Sequence, residues 1–296
     1  AVAPAAPPQT PGNLPRALTS FIGRERELAE ARALLAQPDT HLVTLTGSPG
    51  VGKTRLALAV ARAAAADYPD GVWFVALDDL TDPSQVPGAI ARALDARPQA
   101  GQSEMSAVAA ALRQRRLLLV IDNFEHVLRA APRVTRMLAE AEGVKALVTS
   151  RELLNVYGEQ AYPLRPLDSG EAGQAGRPAS VALFADRARA VRPGFQVTAE
   201  NAALVAGICA RLDGIPLAIE MAAAQMRRMT LEQVHHRLSE HLSAIAAGPQ
   251  DAPERQRSLR GTLNWSYDLL ADDERRAFAA MGVFSGGAMP HDVEAL

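Results

Sequence analysis

Gly47-Ser48-Pro49-Gly50-Val51-Gly52-Lys53-Thr54 satisfies the pattern G-x-x-x-x-G-K-[ST] at every fixed position. The glycines let consecutive backbone N–H groups turn inward with no Cβ in the way, and a helix beginning at that point adds its partial positive charge, so the stretch predicts an anion cradle. Within such a cradle Lys53 reaches terminal phosphates and Thr54 can ligate a divalent cation. Residues 41–46, HLVTLT, form a short apolar and β-branched run on one side, and Arg55 opens the alanine- and leucine-rich run RLALAVARA on the other. Strand, glycine loop, helix is the order the cradle requires. A flexible glycine turn that merely precedes a lysine would not require these flanks.

The second strong signal is Leu117-Leu118-Leu119-Val120-Ile121-Asp122-Asn123. An uninterrupted apolar run ending in an acid predicts a parallel strand buried on both faces, with its C-terminal end at the ligand edge of a sheet. Asp122 there is the candidate Mg²⁺ ligand together with Thr54. A helix over 125–141 and a strand over 144–149 follow, and Arg151 then leaves the sheet on the same edge as Asp122. An always-charged planar donor at that place suits a γ-phosphate sensor, and it equally suits a surface ion pair at a strand end. Strands over 71–77 and, as an edge strand restricted by prolines, 161–167 complete the alternation. The fold class expected is α/β, a three-layer sandwich around a parallel sheet. Lys53, Asp122, Asn123 and Arg151 are the candidate catalytic positions. Ser48 to Thr54 and the adjoining Arg55 are the cofactor-binding ones.

The 296 residues exceed one ordinary domain, and 31 basic against 33 acidic residues give a net charge of −2, which argues against a nucleic-acid footprint over the whole surface. Lys53 and Lys145 are the only two lysines, so a lysine kept at the loop position carries weight. One cysteine, Cys209, permits no intrachain disulfide, which predicts a reducing cytoplasm. No apolar run is long enough to span a membrane, and no signal peptide is seen. The start at Ala1 suggests a fragment or processed product.

Residues 1–15, rich in Ala and Pro, read as a linker from something upstream. The nucleotide-binding domain is expected over 16–168, a glycine-rich hinge over 169–179, a helical domain over 180–247 and a further, incomplete domain over 248–296. In the helical domain, Val181, Phe184, Ala188 and Val191 share one face, and Leu204, Val205, Ile208 and Leu212 another. Asp213-Gly214 predicts a helix stop, Pro216 a first-turn proline, and Thr230-Leu-Glu-Gln233 a capping box. His235, His236 and His241 lack ligand spacing and read as surface residues. Arg255, Arg257 and Arg260 read as a solvated face in preference to a nucleic-acid patch.

Taken together, these segments resemble the STAND nucleotide-binding switches of the NB-ARC, or AP-ATPase, type, especially those inside large bacterial transcriptional regulators. The resemblance rests on six ordered matches covering residues 14–296: Phe21 to Glu27, Gly47 to Thr54, Leu118 to Asn123, Thr149 to Arg151, Gly214 to Glu220 and Arg255 to Leu270. It implies that Ile22 and Arg24 line adenine and ribose, that Arg151 contacts the γ-phosphate, and that Pro216 and Glu220 belong to a lid from the helical domain. The incomplete last domain would be a winged helix serving as an intramolecular clamp. Many relatives carry a second acid after the strand aspartate, whereas Asn123 here cannot act as a carboxylate base, which implies slow hydrolysis.

The function this implies is an ATP/ADP-operated, Mg²⁺-dependent switch, at most a slow ATPase. The resemblance places a DNA-binding effector upstream and sensor repeats downstream, so DNA is reached only indirectly, and it allows nucleotide-dependent self-association. An AAA+-like ring ATPase would instead turn over fast with an arginine from a neighbouring subunit, and a scaffold would never exchange its nucleotide. GTP is disfavoured by the lack of an N-K-x-D segment.

Overall fold

The structure is a computed structural model that describes residues 10–169 and 178–240, together with 275, 276 and 279. They divide into two compact units at residues 183 and 184. The expected hinge at 169–179 and the expected winged-helix segment at 248–296, with its arginines, lie outside the described residues apart from 169, 178, 179, 275, 276 and 279.

The first unit runs α1 (Glu25–Ala36), β1 (Leu42–Thr46), α2 (Lys53–Ala64), β2 (Val72–Ala76), α3 (Val86–Ala93), α4 (Glu104–Leu112), β3 (Leu117–Asp122), α5 (Ala131–Ala139), β4 (Val144–Thr149) and β5 (Glu159–Pro163). All five strands are parallel, in the order β2-β3-β4-β1-β5. The reason β3 is apolar at every position but its last is visible in the layers. Leu117, Leu119 and Ile121 pack with α3, α4 and α5 on one face, while Leu118 and Val120 pack with α1 and α2 on the other. Each such side chain contributes roughly 1.5–3 kcal/mol by leaving water. β5 pairs only with β1 and so lies at an edge, starting two residues earlier than the sequence suggests and ending at Pro163.

The expected helix over 125–141 is corrected. Residues 124–126 and 128–130 are two 3₁₀ turns, and α5 begins only at Ala131. Asn123 holds φ 62°, in the left-handed region, and Val127 sits at φ −136°, so neither can continue a helix. Pro132 then opens α5 in the first turn, where a missing N–H costs nothing. The break sends Phe124 into the core, fully buried, and returns Glu125 to the sheet edge.

Residues 10–15, the end of the Ala/Pro-rich stretch, lie along the open edge of β2. The Val72 N–H donates to Pro11 O at 2.9 Å. The Asn13 side chain accepts from the Phe74 N–H at 2.5 Å and donates to Phe74 O at 2.9 Å. An otherwise open edge is thereby covered. At the start of the central strand β4, Lys145 donates to Leu35 O at 2.7 Å and Gln37 O at 2.5 Å. It supplies the cation that the last turn of α1 lacks.

The boundary between units falls within α6 (Ala179–Val191), and α7 (Ala202–Arg211), α8 (Pro216–Gln225) and α9 (Leu231–Glu240) follow in the second unit. Asp213 and Gly214, at φ 50° and 65°, end α7 as a left-handed stop. Thr230 and Gln233 exchange reciprocal capping bonds of 2.9 and 3.3 Å. His236 is exposed and His235 is half-buried, its ring 3.2 Å from where a Cβ on Gly207 would stand, while His241 lies outside the described residues. The glycine leaves room for the imidazole on the face that α9 turns to α7. Among the described residues no helix is long and apolar enough to cross a membrane.

Candidate functional site

The sheet register decides which side chains can meet. Ala76 pairs with Asp122, Ile121 with Val148, and Leu45 with Thr149, so β1, β3 and β4 end together at one edge. The glycine loop leaves β1 at that edge and enters α2 at Lys53. Gly52 precedes the helix at φ 98°, offers no side-chain cap, and is followed by no acid in the first turn. The first N–H groups of α2 are therefore left to an anion. Gly47 has a second reason to be glycine: a Cβ there would stand 2.5 Å from the Leu164 carbonyl oxygen, with φ at 149°.

Lys53 folds over this loop, its Nζ donating to Gly47 O at 2.7 Å and Ser48 O at 3.2 Å. Burial lowers its pKa from the ordinary lysine value; Arg151 acts in the same direction, while Glu125 and Asp122 oppose it. These four groups thus share one electrostatic field. The Thr54 hydroxyl donates to Asp122 Oδ1 at 2.7 Å, and Thr149, itself fully buried, donates to the same oxygen at 2.5 Å. Burial raises the Asp122 pKa above the usual carboxylate value, against the lowering effect of these two hydroxyls. A cation would reverse that penalty. The Asn123 amide donates from Nδ2 to Asp122 Oδ2 at 3.2 Å, and its backbone N–H donates to Thr149 Oγ1 at 3.0 Å.

An adjacent hydroxyl and carboxylate are hard oxygen donors, and they fit a Mg²⁺ ion that completes its shell with phosphate and water. Among the described residues no group of three or more His, Cys, Asp or Glu side chains could hold a metal by itself.

The remaining candidates divide by location. Arg24 is buried, with 5% exposure. It pairs with Glu27 at 2.7 Å and donates to Val51 O at 3.3 Å and Arg165 O at 2.7 Å. Its guanidinium therefore clamps the start of α1 to the loop and to the segment after β5. Ile22, Pro49 and Gly50 are half-buried, Ser48 is exposed and Val51 is buried. Arg55 points back along the chain, donating to Thr19 Oγ1 at 2.8 Å and Ser20 O at 2.7 Å. Arg151 donates from Nε to Glu125 Oε1 at 3.2 Å. In the second unit Pro216 opens α8, and Glu220 accepts from Arg187 Nε at 2.9 Å.

Two members of the cluster escape a reading of motifs alone. Thr149 is visible only as part of the T-S-R segment, and its role as the second donor to Asp122 comes from register. Glu125 carries no periodic signal, because it lies in a single 3₁₀ turn and in neither an α-helix nor a strand.

Residues 38–164 match the family model of an AAA domain. Rv0890c of Mycobacterium tuberculosis, provisionally named an HTH-type transcriptional regulator, is 40% identical over 257 residues, covering 86% of this chain and 28% of its own length. The regulatory protein AfsR of Streptomyces coelicolor is 29% identical over 300 residues, covering 93% of this chain and again 28% of the relative. This chain thus spans under a third of those proteins. The uncharacterized protein Rv0894 of Mycobacterium tuberculosis is 36% identical over 273 residues, 92% of this chain and 67% of that protein. Among solved structures, a Walker-type ATPase of Pyrococcus abyssi shares the fold at a TM-score of 0.53 and 13% identity, over 74% of this chain and 72% of that one. The chain belongs to the same family as Rv0894, and its first unit has the α/β P-loop NTPase fold.

Proposed function

We propose that this chain is an adenine-nucleotide switch, binding ATP or ADP with Mg²⁺ and hydrolysing ATP slowly, within a larger regulator of transcription. The observation that carries the reading is the convergence of the glycine loop, Lys53, the Thr54–Asp122 pair and Arg151 at one sheet edge. Phosphates would lie along the loop and the first turn of α2, with Lys53 leaving the Gly47 and Ser48 carbonyls for the terminal phosphate oxygens. Thr54 and Asp122 would hold Mg²⁺, which would supply charge neutralisation to the phosphates. Arg24 keeps the loop and the segment after β5 in register, and Ile22 lies beside it on the expected adenine side. Arg151 would distinguish ATP from ADP through its guanidinium.

A switch also needs two arrangements that the nucleotides favour unequally. In this reading Pro216 and Glu220 belong to a lid formed by the second unit. The name of Rv0890c, an HTH-type transcriptional regulator, supports a regulator whose DNA-binding effector lies elsewhere in the full protein; a cytoplasmic location, downstream sensor repeats and nucleotide-dependent self-association belong to the same proposal. DNA would then be contacted indirectly. Arg151→Ala tests the sensor: affinity for ATP, measured by calorimetry, should fall at least about tenfold more than affinity for ADP, a difference of about 1.4 kcal/mol. Equal losses would remove the sensor role.

A further inference from the structure

The carboxylate that would activate the hydrolytic water is not at position 123. Asn123 is left-handed at φ 62°, and its amide is turned onto Asp122. Two residues further on, Glu125 has a side chain only 6% exposed. Its Oε1 accepts from Arg151 Nε at 3.2 Å, while Oε2 is buried and no donor among the described residues reaches it. A buried carboxylate oxygen without a partner costs the full desolvation of that atom, so its retention calls for a use. The same carboxylate acts electrostatically on Lys53 together with Asp122 and Arg151, the lysine that would meet the terminal phosphate.

We infer that Glu125 is the water-activating carboxylate of this site: Oε1 holds Arg151, and Oε2 accepts the proton of the attacking water. The inference rests on the nucleotide reading above. In the step, the water oxygen forms a bond to the γ-phosphorus as the bond from that phosphorus to the β,γ-bridging oxygen breaks. The bonding pair leaves with ADP, and the water proton passes to Glu125 and from there to the phosphate released. Cleavage of the phosphoryl bond runs ahead of proton transfer in such reactions, so the carboxylate first orients the water and then takes its proton. The two short turns on either side of Val127 make this geometry available. A continuous helix from 125 would carry the residue along a helical face instead of returning it to Arg151.

The full chain and its Glu125→Gln variant provide the test. Glutamine keeps an oxygen for Arg151 and removes the proton acceptor, so affinity for Mg²⁺-ATP should stay within about threefold of the parent while single-turnover hydrolysis falls about a hundredfold or more. After incubation with ATP, washing and denaturation, the variant should release ATP where the parent releases ADP. Hydrolysis unchanged in Glu125→Gln would overturn the inference, as would loss of nucleotide binding by the variant, which would make Glu125 a structural partner of Arg151. A parent protein that binds ATP and never cleaves it would overturn the inference and leave the nucleotide reading standing. A parent that binds no adenine nucleotide would overturn both.

Discussion

Replacing Thr149 by valine removes one hydroxyl and almost no volume, at a position where the structure assigns that hydroxyl two bonds. Thr149 Oγ1 donates to Asp122 Oδ1 and accepts the Asn123 backbone N–H at 3.0 Å. A bond to a charged acceptor is worth about 1.5–3 kcal/mol, and stranding a buried N–H costs about 1–3 kcal/mol, so partial relaxation leaves a loss of about 3 kcal/mol. In a domain of this size that lowers the melting temperature by roughly 6–12 °C. The loss should also depend on pH. Burial raises the folded pKa of Asp122 above its unfolded value, so the folded protein binds this proton more tightly than the unfolded one. The contribution of Asp122 to stability therefore improves as pH falls from neutral through the folded pKa, and the improvement is complete below the unfolded pKa. Thr149→Val removes a bond that favours the ionised form, so the variant's deficit is largest where Asp122 is charged and shrinks as it is protonated. Thermal unfolding of both proteins in nucleotide-free buffer with chelator, at about pH 8 and about pH 5, measures this. A deficit below about 1 kcal/mol, or one independent of pH, would refute the assignment of Asp122 as a buried carboxylate held by two hydroxyls.

The two loop glycines separate strain from space. Gly52→Ala meets open space and carries only the cost of φ 98°, roughly 1–2 kcal/mol, whereas Gly47→Ala also drives a Cβ to 2.5 Å from Leu164 O and should destabilise clearly more in the same melting assay. Asn123→Asp should not accelerate hydrolysis, because the new carboxylate would face Asp122 where the amide now donates at 3.2 Å. Turnover no faster than the parent's is expected in single-turnover assays at saturating Mg²⁺ and fixed ATP. Faster turnover would restore position 123 as the place for the acid.

Much of this site can be read from the chain because its chemistry is tied to local geometry. The glycine pattern sets the loop, and the strand ending in Asp122 could be recognised because a parallel strand buried on both faces must be apolar throughout. What sequence conceals is the meeting of segments that carry no period of their own. Glu125 follows a left-handed asparagine and precedes a second break at Val127, so a helical reading of 125–141 hides it. Arg24 appears in the motif as a nucleotide contact, yet its guanidinium binds the carbonyls of Val51 and Arg165. That partner set depends on a return of the chain 141 residues later. The end of the Ala/Pro stretch docks on β2 through Asn13, one side chain imitating a strand's paired donor and acceptor. Composition cannot report that contact.

Equilibrium binding of Mg²⁺-ATP and Mg²⁺-ADP to the full chain and to Lys53→Ala tests the central claim most directly. The parent should bind one adenine nucleotide per chain. Loss of two charge-assisted bonds from Lys53 to phosphate, about 1.5 kcal/mol each, should weaken the variant about a hundredfold. A parent with no measurable affinity at about 1 mM nucleotide, or a lysine variant that binds as well as the parent, would contradict the account.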